Sequence, residues 1–301
     1  MKIREIFLKG RPLLSFEFFP PKKVENEHIL EETVGHLKKY SPDFVSITYG
    51  AGGSTRAKTL EWTLRLKDVH GLNVMMHLTC VGSTRSEIDS IVARLTQEGV
   101  DNILALRGDP PRESGSENPW KDFRYAFELV RHIKKKGDFC IGVAGYPEGH
   151  IESPSLEKDT EYLKMKVDEG ADFIITQLFF DNRFYFRFRE RTERAGITVP
   201  ILPGIMPIIN LGQVTRFTEM CGASVPQSLI REMEGLSPED TLKKGVDFAI
   251  AQCEELIREG APGIHFYTLN RNRATEMILE ELGDFRGRES GPSNSPKEGE
   301  G

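Results

Sequence analysis

Among the ionisable residues of this chain, Glu17 is the one best set to hand over a proton. It lies in Ser15-Phe16-Glu17-Phe18-Phe19-Pro20-Pro21-Lys22. An extended run puts Ser15, Glu17 and Phe19 on one face and Leu14, Phe16 and Phe18 on the other. An inward carboxylate among large apolar neighbours is disfavoured in its charged form, so it would keep a proton near neutral pH, as a general acid must. The competing reading is an ion pair with an arginine of a neighbouring strand.

Other groups point to a ligand site rather than to a metal. Arg107-Gly108-Asp109 reads either as a structural ion pair with a glycine turn or as a loop meeting a polar cofactor ring, Asp109 supplying a negative charge beside it. His77 and His150 have no i, i+4 partner and no second ligand nearby in sequence, so hydrogen bonding to a ligand fits them better than metal binding. Tyr146-Pro147-Glu148-Gly149-His150, followed by Asp159 and Lys166 on the next helix, offers an aromatic face, an imidazole, an acid and a base. Alternatively, Asp159 and Lys166 simply share a solvated helix face.

These residues need a frame, and the hydrophobic pattern supplies one. Short apolar runs recur at about 13–19, 43–49, 73–79, 102–107, 139–146, 172–178, 200–205 and 263–269. Between them lie amphipathic stretches such as 25–39, 86–98, 124–136 and 157–169, with apolar residues three and four apart. Glycines 71, 99, 137, 170 and 196 precede strands where a left-handed helix end is easily made. No G-x-G-x-x-G follows any run, and Gly50–Thr55 lacks the third glycine, so a closed barrel is preferred to an open doubly wound sheet.

The expected fold is therefore α/β, a single-domain (β/α)₈ TIM barrel over residues 1–285. A helical elaboration is expected at about 210–260 and a disordered tail at 286–301, where no apolar residue offers an anchor. Ligands of such barrels bind at the C-terminal strand ends. There the runs deliver Glu17, Thr48, His77, Arg107, Tyr146, Gln177 and Tyr267, a polar or ionisable group from nearly every strand.

Composition narrows the class further. The net charge of −6 offers no global field for nucleic acid or an anionic membrane, which leaves small molecules as the expected partners. The cysteines at 80, 140, 221 and 253 form no C-x-x-C pair and read as reduced core thiols. Neither a signal peptide nor a run approaching roughly 18 apolar residues is present, so a cytoplasmic protein is expected.

The runs SFEFFPPK (15–22), ITYGAGG (47–53), HLTC (77–80), ALRGDPP (105–111), VAGYPEGH (143–150), DFIITQLFFD (172–181), PGIMPI (203–208) and HFYTLNR (265–271) resemble, in order, those of methylenetetrahydrofolate reductases. The resemblance covers about residues 10–282. It implies a barrel that holds FAD non-covalently and reduces 5,10-methylenetetrahydrofolate to 5-methyltetrahydrofolate, with NADH or NADPH reducing the flavin in a ping-pong cycle. It further implies that Glu17 is the acid that helps open the folate's five-membered ring, with Asp109 near the flavin and the pterin. Thr48, His77, Arg107, Gly108, Asp109, Ala126, Tyr146, His150, Asp159 and Lys166 would contact FAD. Gln177, Phe217 and Tyr267 would contact folate, with Arg271 facing its glutamate tail.

Two departures stand out. Bacterial members carry Asn and Arg three and six residues after the helix acid, where this chain has Tyr162 and Met165. The chain also ends after the eighth unit, so the regulatory domain of eukaryotic members, which binds S-adenosylmethionine, is not expected. A flavin-independent barrel lyase or aldolase is the rival enzyme class. It would usually need a Schiff-base lysine or a metal cluster at the strand ends, and no strand run ends in lysine. A non-catalytic folate-binding subunit of an electron-transfer complex is a third class, against which Glu17 argues. The choice between NADH, NADPH and a protein donor, and the oligomeric state, homo-oligomer included, are open at the level of sequence.

Overall fold

A computed structural model describes residues 1–49, 56–110 and 119–287. Its strands are β1 (Leu13–Phe18), β2 (Phe44–Ile47), β3 (Val74–Thr79), β4 (Asn102–Leu106), β5 (Cys140–Gly145), β6 (Phe173–Thr176), β7 (Ile201–Leu202), β8 (Gly204–Ile205) and β9 (Gly263–Tyr267). All pair in parallel, in the order β7-β6-β5-β4-β3-β2-β1-β9-β8.

The seventh apolar run is not one strand. Pro203 has no N–H to give a ladder and divides it into β7, which pairs with β6 through Ile174 and Ile201, and β8, which pairs with β9 through Gly204 and His265. The two short pieces fill one place in the wall and close it into an eight-stave barrel. The fold is thus the single-domain TIM barrel that the repeat implied.

Helices α1 (Ile3–Phe7), α2 (Glu27–Lys38), α3 (Arg56–Asp68), α4 (Arg85–Gln97), α5 (Ala126–Lys134), α6 (Leu156–Asp168), α7 (Asn182–Arg194), α8 (Leu211–Cys221), α9 (Gln227–Met233), α10 (Pro238–Arg258) and α11 (Arg273–Leu282) surround it. Their starts are legible in side chains. Thr84 accepts from the Glu87 N–H ahead of α4, Ser155 from Lys158 ahead of α6, and Asn210 from Gln213 ahead of α8. Of the glycines expected to end helices with positive φ, 71, 99, 170 and 196 do so, but Gly137 does not. Among the described residues no helix is long and apolar enough to cross a membrane.

Alternation along the strands divides the core in two. Leu14, Phe16 and Phe18 of β1, Val45 and Ile47 of β2, and Met76 and Leu78 of β3 join the cluster packed against the helices. Leu13, Phe44, Met75, Leu104, Cys140, Phe173, Ile175 and Leu202 join a second cluster with Ile3 and Ile6, so α1 packs against the apolar lower layer of the barrel. A third cluster joins Leu178, Phe180, Met206 and Ile208, beyond the strand ends, to Val214 of α8 and to Leu229 and Met233 of α9. The helical elaboration therefore packs beside the mouth, with Tyr267 and Phe217 at its edge.

Candidate active site

Above the apolar lower layer the alternate positions turn polar. Register sets Glu17 of β1 between Ser46 of β2 and Tyr267 of β9, and Ser15 beside His265. The Glu17 side chain is 10% exposed, with one carboxylate oxygen 3.5 Å from Nε2 of His77 and 3.7 Å from Nε2 of His265. These are contacts, not hydrogen bonds, since neither imidazole nitrogen has a hydrogen-bond partner among the described residues. Burial pushes the His77 pKa down to about 4, outweighing the nearby carboxylate, so the ring is neutral at neutral pH. Nδ1 of His265 lies 2.8 Å from the Ser15 hydroxyl, and the ring stacks on Phe44.

The sequence placed phenylalanines around Glu17, and this needs correcting. Phe16 and Phe18 face the helices, and Phe19, on the Glu17 side, is 38% exposed. Imidazole rings and Tyr267 surround the carboxylate instead. No arginine pairs with it among the described residues; its main-chain oxygen accepts from the Thr268 hydroxyl at 2.6 Å.

A second arc follows the ends of β4 and β5. Arg107 donates through both terminal nitrogens to Glu152, at 2.6 and 2.7 Å, and lies 4.8 Å from the centre of the Trp120 ring. This pairing raises the guanidinium pKa and lowers that of Glu152. Gly108 has φ +76, and a Cβ there would come 2.6 Å from Val81. Asp109 is exposed, yet its charge reaches Tyr146, whose hydroxyl is raised chiefly by burial and further by Asp109 and Asp159. His150 stands edge-on to Tyr146 at 4.7 Å, and burial together with Arg107 lowers its pKa.

On α6, Asp159 is buried and accepts from Ser153 at 2.8 Å. Lys166 reaches the Ala144 carbonyl at 2.6 Å, and burial lowers its pKa to about 8. The reading of these two as a solvated helix face is therefore set aside. Tyr162 and Met165 of the same helix are exposed, with the Lys158 ammonium 5.5 Å from the Tyr162 ring.

The remaining candidates border the same opening. Thr48 is buried just beyond β2, and Ala126 is the first residue of α5. Gln177 is half-buried, its side-chain oxygen accepting from the Leu178 N–H at 2.9 Å. The Tyr267 hydroxyl donates to Thr176 at 2.5 Å; burial raises its pKa well above the usual value, with further contributions from Glu17 and Tyr146. Phe217 is half-buried in the cluster beside the mouth, and Arg271 is exposed past β9. Gly50–Thr55 and residues 111–118 lie outside the described residues.

Sequence reasoning gave no role to His265 or Glu152. His265 stood inside a noted motif but required the closed barrel to meet Glu17. Glu152 lies two residues past His150, and its spacing carries no signal of its own.

The chain matches the sequence pattern of the methylenetetrahydrofolate reductase family over residues 2–283. It is 40% identical over 278 residues to 5,10-methylenetetrahydrofolate reductase of Escherichia coli, covering 92% of each chain. It is 40% identical over 296 residues to methylenetetrahydrofolate reductase (NADH) 1 of Arabidopsis thaliana, covering 94% of this chain but spanning only 50% of that one. Among solved structures, an uncharacterized Clostridium thermocellum protein, described as binding two copies of 5-methyl-5,6,7,8-tetrahydrofolic acid, shares the fold. Its TM-score is 0.63 at 17% identity, over 94% of this chain and 98% of that one.

Proposed function

The chain belongs to the methylenetetrahydrofolate reductase family, and from that premise we propose that it reduces 5,10-methylenetetrahydrofolate to 5-methyltetrahydrofolate with FAD as cofactor and NADH or NADPH as reductant. The observation that carries the reading is Glu17, an acid buried at the mouth of the barrel between two imidazoles. The residues suit a flavin in kind. Among the described residues, buried Ser46 Oγ, Thr79 Oγ1 and His77 Nε2 have no hydrogen-bond partner, and a ligand's polar ring edge would satisfy groups of this kind. Arg107 and Lys166 add positive charge for a phosphate-bearing cofactor, and Tyr146 adds an aromatic face. When bound, the flavin supplies hydride chemistry.

Within that reading the protein's part is proton supply and orientation. Glu17 donates a proton to the folate nitrogen that leaves as the five-membered ring opens, and the resulting cationic carbon then accepts hydride. Asp109 places a negative charge beside that cation. Neutral His77 confines the Glu17 carboxyl without an ion pair between the two, and the Ser15 contact fixes the neighbouring His265 ring. Gln177, Phe217, Tyr267 and Arg271 bind the folate, and the neighbour's description as a methyltetrahydrofolate binder is in keeping with this.

The test separates the half-reactions. Purified protein is expected to be yellow with bound FAD and to be bleached by NADH or NADPH, with methylenetetrahydrofolate restoring the colour. Glu17→Gln should leave bleaching intact and slow the folate-dependent return by at least about 10²-fold, the usual worth of a positioned proton donor. Equal loss of both half-reactions would remove the acid role, and protein unable to bind FAD would remove the flavoenzyme reading.

A further inference from the structure

The Arg107–Glu152 pair joins two loops of the mouth, one after β4 and the other between β5 and α6. The side chains are 25% and 52% exposed, so the pair adds little to stability. What it does supply is direction. Two parallel N–H···O bonds fix the plane of the guanidinium, and the Trp120 ring lies against it. Among the described residues, Glu152 takes two of the five N–H donors of the arginine.

Glu152 also acts through its main chain. Its N–H donates to Nδ1 of His150 at 3.1 Å, which makes that nitrogen an acceptor and leaves the ring proton of the neutral imidazole on Nε2. His150 in turn stands edge-on to Tyr146. Residue 152 thus orients the cation through its carboxylate and the imidazole through its N–H, and only the first requires a glutamate; it belongs to neither set of candidate ligand contacts.

We propose that Glu152 is a positioning residue for the cofactor, holding the Arg107 fork and the His150 tautomer ready for an anionic, ring-bearing ligand before it arrives. This rests on the flavin reading above. Ordering a long side chain in advance removes that part of the binding penalty, so freeing Arg107 should weaken binding about three- to tenfold. The opposite reading makes Glu152 a rival of the ligand for Arg107, and then its removal would tighten binding.

The experiment titrates flavin-stripped protein with FAD and follows the quenching of flavin fluorescence in wild type, Glu152→Gln, Arg107→Gln and the double variant. Expected are weaker binding in E152Q at an unchanged ligand-free melting temperature, a larger loss in R107Q, and a double variant no worse than R107Q alone, because the Glu152 side chain acts through Arg107 while the N–H to His150 is kept in every variant. Binding by E152Q as tight as wild type or tighter, losses that multiply in the double variant, or a matching fall in ligand-free melting temperature would overturn the proposal. Wild-type protein that binds no FAD would instead remove the flavin reading beneath it.

Discussion

His77 shows how a single buried group at the mouth ties the site to the stability of the fold. In the folded protein its pKa is about 4, while an exposed imidazole titrates near 6.5. Between those values the unfolded chain binds more protons than the folded one, so stability falls as pH falls through this window. The charged and titratable groups facing the ring are Glu17, which opposes the shift, and His265, which adds to it. His77→Gln keeps a polar side chain and removes the titration. Urea unfolding at pH 4.5–6 should then show a shallower acid loss than wild type, by up to about 1.4 kcal/mol per pH unit. Parallel slopes would mean that the ring is not held neutral. At this scale the sequence was informative in a particular way. A two-residue period was enough to turn Glu17 inward, but it could not say that His265, 248 positions later, would share its pocket. That contact exists only once the first and last strands are neighbours.

The elements that carry the site were legible wherever an apolar run or an amphipathic repeat was long enough to show its period. Strands β1 to β6 fall inside the expected runs, and α4, α5 and α6 lie within two residues of the expected helices. Short pieces escaped. Helix α1, with 5 residues, is too brief for a period to declare itself, and the division at Pro203 follows from a missing donor that hydrophobicity does not register.

A loop after β9 escaped for a third reason, backbone conformation. Leu269 and Asn270 have φ of 51 and 54, a region asparagine tolerates better than leucine does. The Asn270 amide donates to the Phe19 carbonyl, and its oxygen accepts from the Phe19 N–H, both at 2.8 Å. The side chain thus acts as an extra rung beside β1, two residues beyond Glu17, and places Arg271 at the rim. Asn270→Ala removes both bonds and the residue suited to this φ. It should lower unfolding free energy by about 1–3 kcal/mol, measured in urea. In the proposed reaction it should also raise KM for the folate more than it lowers kcat. An unchanged KM with full loss of stability would make the clamp purely structural.

Over the whole molecule, the repeat of helix and strand announced a barrel but left open how its ends would meet. Closure falls on β1 and β9, where Leu13 faces Gly263 and Ser15 faces His265, so the seam that completes the wall also completes the Glu17 pocket. Gly263 has φ +145, and a Cβ there would lie 2.3 Å from the Leu13 oxygen and 2.4 Å from its nitrogen, atoms that cannot move without parting the strands. Three residues earlier, Gly260 has φ +78 with open space where a Cβ would stand. The two alanine variants therefore separate backbone strain from obstruction of the seam. Gly260→Ala should destabilise by roughly 1–2 kcal/mol, the cost of a left-handed backbone alone. Gly263→Ala should cost clearly more, seen as a larger fall in urea midpoint or as loss of soluble folded protein by circular dichroism. Because His265 lies two residues past the obstruction, any G263A protein that folds should also lose folate turnover beyond the G260A variant. Equal stability of the two variants would show that the seam yields to a methyl group, and that closure does not hold His265 against Glu17.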